Sequence, residues 1–181
     1  FNTIYESTLK IAYLIFCKCS QEKDEIEMFD AFFNSNCYEL LDIEDKEKIS
    51  LSSHLLEFVT NFIWWKKEHN TFSKWMYTIN LALCFKLLWD WVKCKEIIDK
   101  EDWSTATSSF KLAIAVLEDR RGDAANLMVS ATDFERDDIK NEDRLSFREQ
   151  DYRNFPIFFE FRKTKEFLDQ YKKLFKRNFV E

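Results

Sequence analysis

The chain has 181 residues with one glycine and one proline, which excludes an all-β fold, since such folds need turn residues about every 8–12 positions. The same scarcity excludes a glycine-rich phosphate loop. A net charge of −6 gives no support for nucleic-acid binding, where a basic face supplies most of the affinity.

Hydrophobic periodicity predicts helices along the whole chain. Residues 2–20 form a first helix whose Ile4, Leu9, Ile11, Ala12, Ile15 and Phe16 cover more than one face. A shorter helix over 24–33 uses Ile26, Phe29, Phe32 and Phe33, and Asn34-Ser35-Asn36 breaks it before a turn at 38–41. Asp45 or Ser50 starts a long helix running to about residue 69, with Leu51, Leu55, Phe58, Val59, Phe62, Ile63 and Trp65 in its apolar stripe. The next helix, 71–88, carries Phe72, Trp75, Met76, Ile79, Leu83 and Leu87. Trp89-Asp90-Trp91 is a tight link, and 92–99 is the partner helix.

Residues 102–128 organise the rest, as one complete helix hairpin. Asp102 or Ser104 is expected to cap its first helix, by offering a side-chain oxygen to amides that lack an intrahelical partner. Phe110, Ala113, Ile114 and Leu117 follow at helical spacing, thickened by Ala115 and Val116. Gly122, the sole glycine, is expected at the turn, and the second helix opens at Asp123 with Ala124 and Ala125, small enough for close helix contact. Residues 132–149 are charge-dense with little periodicity and read as an exposed loop. Pro156 suits a first helical turn, where its missing N–H costs nothing. Thr164 caps a last helix using Phe167, Leu168, Tyr171, Leu174 and Phe175.

A shift of 30 residues lays Leu87 on Leu117, Cys94 on Ala124, Ile97 on Leu127 and Ile98 on Met128. In both copies a long apolar helix, a short turn and a helix with a small residue in its first turn follow one another. Over about 71–131, and in a further hairpin at the C-terminus, the chain resembles tetratricopeptide-like helical repeats, whose period is about 34 residues. The family's Trp-Leu-Gly-Tyr pattern is absent. Asp102-Trp103-Ser104, the FKLAIAVLED run and the DYRNFPIFFEFRKTKEF tail look like the ends of helical-repeat proteins in bacteria. The resemblance implies an all-α fold of stacked antiparallel helix hairpins, an α-solenoid fragment, and no particular activity. Residues 1–181 are read as one all-helical domain, with 1–70 packing on the repeat-like hairpins of 71–181. The start at Phe1 suits the C-terminal domain of a longer protein.

Chemistry-bearing residues are few. His54 and Glu57 lie one helical turn apart, but further Glu and His ligands for a binuclear carboxylate bundle are lacking. His69 is read as a helix-terminal imidazole interacting with the dipole. The Arg-x(4–6)-His motif of helical ribonucleases cannot occur, because the first arginine, Arg120, follows the last histidine, His69. Cys17, Cys19, Cys37, Cys84 and Cys94 are odd in number and lie largely in apolar runs, as small buried hydrophobes of a reducing cytosol do. Cys17 and Cys19 have no second pair or histidine at zinc spacing. Residues 11–17 are apolar but far short of the ~20 residues that a membrane span needs.

Surface composition divides more sharply. All eight arginines lie at or after position 120; residues 1–119 have a net charge of −7 and residues 120–181 a net charge of +1. Trp and Arg are enriched among binding hot spots. Arg120, Arg121, Trp89, Trp91 and Trp103 are therefore the expected partner-contact residues, and the basic tail from Arg162 to Arg177 is a second electrostatic candidate. The sequence is thus expected to encode a non-catalytic protein–protein interaction module of a bacterial cytoplasmic protein. Its partner is another protein or another domain of the same polypeptide; no membrane, nucleic acid, cofactor or metal is called for. The alternatives are an immunity or antitoxin-like protein that blocks a toxin, and an enzyme with an unrecognised helical site.

Overall fold

The computed structural model describes residues 45–65, 71–132 and 146–180. The expected helices at 2–20 and 24–33, the turn at 38–41, Cys17, Cys19, Cys37 and His69 lie outside the described residues, as do the side chains of Phe58, Val59, Phe62, Ile63 and Trp65. The described residues are all-α, with one isolated parallel bridge between Thr132 and Phe147. The chain divides into two compact units, Phe1–Lys100 and Glu101–Glu181.

In the first unit, α1 spans Lys46–Trp65, α2 Thr71–Leu87 and α3 Trp91–Ile98. Asp45 caps α1, its Oδ1 accepting from the amides of Glu47 at 3.0 Å and Lys48 at 3.2 Å. That carboxylate satisfies amides that the helix itself cannot. Helix α2 packs against both α1 and α3. It is apolar almost all round: Trp75, Tyr77, Ile79, Leu81, Leu83, Cys84 and Phe85 are buried. A helix of that pattern belongs in the middle of a core. Cys84 and Cys94 are both buried and in no disulfide, as their apolar contexts predict.

In the second unit, α4 spans Ser108–Leu117 and α5 Arg121–Ala131. The first helix starts later than expected. Asp102 Oδ1 accepts from the Ser104 amide at 2.9 Å and so closes a turn upstream, while Thr107 is the N-cap and forms no side-chain capping bond. Ser109, Phe110 and every residue from Leu112 to Leu117 are buried. Ala124, Ala125, Met128 and Ala131 form the buried side of α5, and the small residues let the two helices pack closely.

The two helix-to-helix turns are built alike, 30 residues apart. The amides of Trp89 and Asp90 donate to the carbonyls of Lys86 at 3.0 Å and Phe85 at 2.9 Å. Those of Asp119 and Arg120 donate to Val116 at 3.2 Å and Ala115 at 2.8 Å. This is the Schellman pattern, which needs one left-handed residue after the helix. Trp89 at φ 65° and Asp119 at φ 57° fill that place. Gly122 therefore does not make the turn. It lies inside α5, which opens at Arg121 rather than Asp123, and its φ is not positive.

The remainder of the second unit is helix α6 (Glu149–Asn154), two 3-10 turns (Pro156–Phe158 and Phe161–Lys163) and helix α7 (Lys165–Phe175). Pro156 occupies the first position of its turn, and Thr164 Oγ1 accepts from the Phe167 amide at 3.3 Å, both as expected. Residues 133–145 of the expected loop lie outside the described residues. Its two ends are not exposed: Thr132 and Phe147 are buried, and the Phe147 amide donates to the Ala131 carbonyl at 2.8 Å. Glu149 already belongs to a helix.

Six aromatic side chains, Phe147, Tyr152, Phe158, Phe161, Phe167 and Tyr171, lie in this core. Tyr152 sits 5.0 Å from Phe158, Phe147 5.0 Å from Phe158, and Phe161 5.3 Å from Phe167. Leu112, Ala115 and Val116 of α4 and Ala124, Ala125, Met128 and Ala131 of α5 complete it. The Thr132 hydroxyl donates to the Met128 carbonyl at 2.6 Å, so the Tyr152 phenol must be the donor in its 2.8 Å bond to Thr132. Burial, opposed by the Thr132 bond, raises the Tyr152 phenol above its usual range. Leu168, expected in the stripe of α7, is 40% exposed. Phe167 and Tyr171 fix the buried face four residues apart, and Leu168 is turned about 100° away from it.

Candidate functional site

Among the described residues, the turn between α2 and α3 presents the largest apolar side chains to solvent. Trp89 is 71%, Trp91 46% and Val92 71% exposed. The Trp89 and Trp91 rings meet edge to face at 6.2 Å, so the two form one raised aromatic surface. Lys86 Nζ lies 5.2 Å from the Trp91 ring centre, and Lys93 Nζ lies 4.1 Å from that of Phe85 while pairing with Glu57 at 3.2 Å. The Asp90 carboxylate accepts from the Lys93 amide at 3.0 Å and fixes the start of α3. The rigid turn thus holds Trp91 and Val92 in the exposed first turn of a short helix. Val92 and Lys86 escape a reading of the sequence, since only the register of the turn decides that they join the tryptophans.

Trp89 carries a backbone cost. A left-handed conformation costs a non-glycine residue about 1–2 kcal/mol, and glycine is its usual occupant. A bulky exposed tryptophan there contributes little burial in return, and such outliers concentrate where a chain binds something.

The equivalent turn in the second unit is charged. Arg120 bonds Glu118 at 2.8 Å and Asp123 at 2.7 Å, and Arg121 grips both carboxylate oxygens of Asp119 at 3.0 and 3.1 Å. Each guanidinium is thus paired within its own turn, and three acids outnumber two arginines there. A shared 30-residue pattern therefore supports opposite surfaces: aromatic at Trp89–Val92, ionic at Asp119–Gly122. Trp103 is half-buried in the connection before α4. The five expected contact residues hence fall in two units, with Trp89 and Trp91 in the first and Trp103, Arg120 and Arg121 in the second.

A third group joins Arg177 of the expected basic tail and Tyr171 of the last helix to Glu149 and Arg153, a meeting that the sequence did not signal. Glu149, Arg153, Tyr171 and Arg177 converge from α6, α7 and the segment after it. The Tyr171 phenol donates to Glu149 Oε1, Arg177 Nε donates to the same oxygen at 2.7 Å, and Arg153 Nη2 donates to the Tyr171 oxygen at 3.0 Å. The Arg177 guanidinium, opposed by burial, holds the Glu149 carboxyl below the usual carboxylate range; burial and then the Glu149 bond push the Tyr171 phenol up. The separations of 22 and 28 residues match no helical period, so only folding reveals the cluster.

His54 is exposed on α1, and Glu57 is engaged by Lys93. Among the described residues, no group of three or more His, Cys, Asp or Glu side chains is placed to hold a metal ion, and no helix is long and apolar enough to cross a membrane. No family model, no curated protein and no solved structure matches this chain significantly, so its own surfaces carry the functional reading.

Proposed function

We propose that this chain is a non-catalytic protein–protein interaction module, tetratricopeptide-like in build, of a bacterial cytoplasmic protein. Its partner is another protein or another domain of the same polypeptide. The observation that carries the reading is the exposure of Trp89, Trp91 and Val92 on one turn, with Trp89 held at φ 65°. Large aromatic side chains on a rigid frame are the usual anchors of an interface. The similar turn at Asp119 supports the repeat-like build, because the same hydrogen bonds recur at the spacing read from the sequence.

Arg120 and Arg121 take a secondary place in this reading. Paired with Asp119, Glu118 and Asp123, they supply oriented hydrogen-bond donors more than free positive charge. The aromatic turn is the primary contact. The test is quantitative capture of partners by the tagged chain in its native host. Wild type is compared with a Trp89→Ala, Trp91→Ala, Val92→Ser triple variant of unchanged circular dichroism. The proteins retained by wild type should be lost from the variant. Retention of the same set in the same amounts would overturn the assignment of this turn.

A further inference from the structure

Helix α7 stops at Phe175, and Lys176, left-handed at φ 57°, turns the chain back. Residues 178–180 then lie against α6 and α7 without regular secondary structure. Three attachments hold this segment. Arg177 pairs with both oxygens of Glu149. The Phe179 ring stands edge-on to Phe167 at 5.2 Å and to Tyr171 at 5.1 Å, with the Arg153 guanidinium 5.2 Å from its centre. Arg153 Nη1 donates to the Val180 carbonyl at 2.7 Å.

The surface beneath the segment is bonded within itself. Glu149 keeps the Tyr171 phenol, and Tyr171 keeps Arg153, whether or not Arg177 is present. Phe167 and Tyr171 have other ring neighbours, Phe161 at 5.3 Å and Phe175 at 4.7 Å. The Arg177 side chain remains 62% exposed and Val180 67% exposed. Lifting the segment away therefore strips no member of the cluster of all its partners. Its attachments are those by which a surface holds a peptide: a charge clamp, a ring packed edge-on against two others and one main-chain carbonyl.

We propose that Glu149, Arg153, Phe167 and Tyr171 form a peptide-docking site, closed in cis by residues 177–180. Its partner is an extended protein segment of the same chemistry: an arginine two positions before a phenylalanine, with an aliphatic residue following. The arginine meets Glu149, the phenylalanine packs edge-on against the adjoining rings of Phe167 and Tyr171, and a carbonyl accepts from Arg153. The chain's own segment competes at the millimolar effective concentration of a short tether, so an incoming peptide binds fully only when that segment is released. Lys176 is the hinge. This site lies in the second unit and does not depend on the reading of the Trp89 turn.

The test uses a fluorescent peptide of residues 176–181 and the full chain as wild type, Phe179→Ala and Arg177→Glu. Anisotropy should show each variant binding the peptide at least about tenfold more tightly than wild type, because the competing segment is weakened. The same peptide with alanine in place of phenylalanine should not bind, and adding Glu149→Gln to the Phe179→Ala variant should weaken binding. Arg177→Glu changes an exposed side chain, so it gives the answer if Phe179→Ala fails to fold. No binding to a folded variant, or equal binding to wild type and variants, overturns the proposal.

Discussion

Trp89 and Asp119, 30 residues apart, occupy the same left-handed place in two turns with matching hydrogen bonds. Neither is the glycine that such a position favours, and the one glycine of the chain stands elsewhere. Substituting glycine at either position relieves the backbone, whereas alanine removes the side chain and leaves the strain. We expect Trp89→Gly to be more stable than Trp89→Ala by about 1 kcal/mol, and Asp119→Gly likewise against Asp119→Ala. Urea denaturation of each pair measures it. Equal midpoints would mean that the turns are not left-handed at these residues.

Gly122 is helical and exposed, and a Cβ built on it meets nothing within 4 Å. Gly122→Ala should then stabilise the protein by about 0.5–1 kcal/mol, through helix propensity and a less flexible unfolded chain. A loss of stability in the same assay would place this residue back in the turn.

Leu117 is 1% exposed at the end of α4. Leu117→Ala should cost about 2–5 kcal/mol, from lost transfer energy and the cavity left behind. Tyr152→Phe should cost about 1 kcal/mol, since the Thr132 hydroxyl keeps the Met128 carbonyl as its acceptor. If the leucine change costs under 1 kcal/mol by calorimetry, α4 is not the centre of its unit.

Replacing Arg120 and Arg121 together with Glu removes the ion pairs of an exposed turn and gathers five acids there. Exposed pairs contribute about 0–1 kcal/mol each, so the variant should remain folded with a modestly lower melting temperature. Raising the salt concentration should recover part of the loss by screening the added repulsion. Global unfolding at neutral pH and low salt would show that the turn depends on its arginines far more than this geometry implies.

The Glu149 carboxyl is held below the usual carboxylate range, first by the Arg177 bond. With the folded value depressed, its stabilisation is present above the unfolded value of about 4.3 and is lost as pH falls through the folded one. Glu149→Gln should therefore be less stable than wild type at pH 7, and the gap should close on acidification below about pH 4. A gap that stays constant from pH 7 to pH 3 would show that the cluster does not perturb this carboxyl.

Among the described residues, the positions of α1, α2, α3 and α7 were legible because they rest on local chemistry, whereas α4 and α5 start elsewhere than expected. The bounds of α2 and α3 follow from the apolar run of 71–88 and the Trp89-Asp90-Trp91 break, and Asp45, Pro156 and Thr164 mark starts through their own side chains and ring. The turn at Glu118–Arg120 was misplaced by sequence because glycine is the usual sign of a left-handed residue, and Asp119 takes that role here. The buried ends of the charged segment were hidden for a similar reason. Single residues, Thr132 and Phe147, bury themselves within a polar run that shows no period.

What the sequence determined by itself is the all-helical class, the spacing of 30 between two like turns, and the candidate tryptophans and arginines, all of them consequences of neighbours within a few positions. What only the tertiary structure decided is which of those side chains stay outside and which partners meet across long gaps. Exposure of Trp89, Trp91 and Val92 depends on the register with which α2 and α3 leave their turn. The meeting of Glu149 with Tyr171 and Arg177 depends on aromatic packing that draws α6, α7 and the segment after it onto one core. Packing is a property of surfaces brought together, and no local pattern of residues records it.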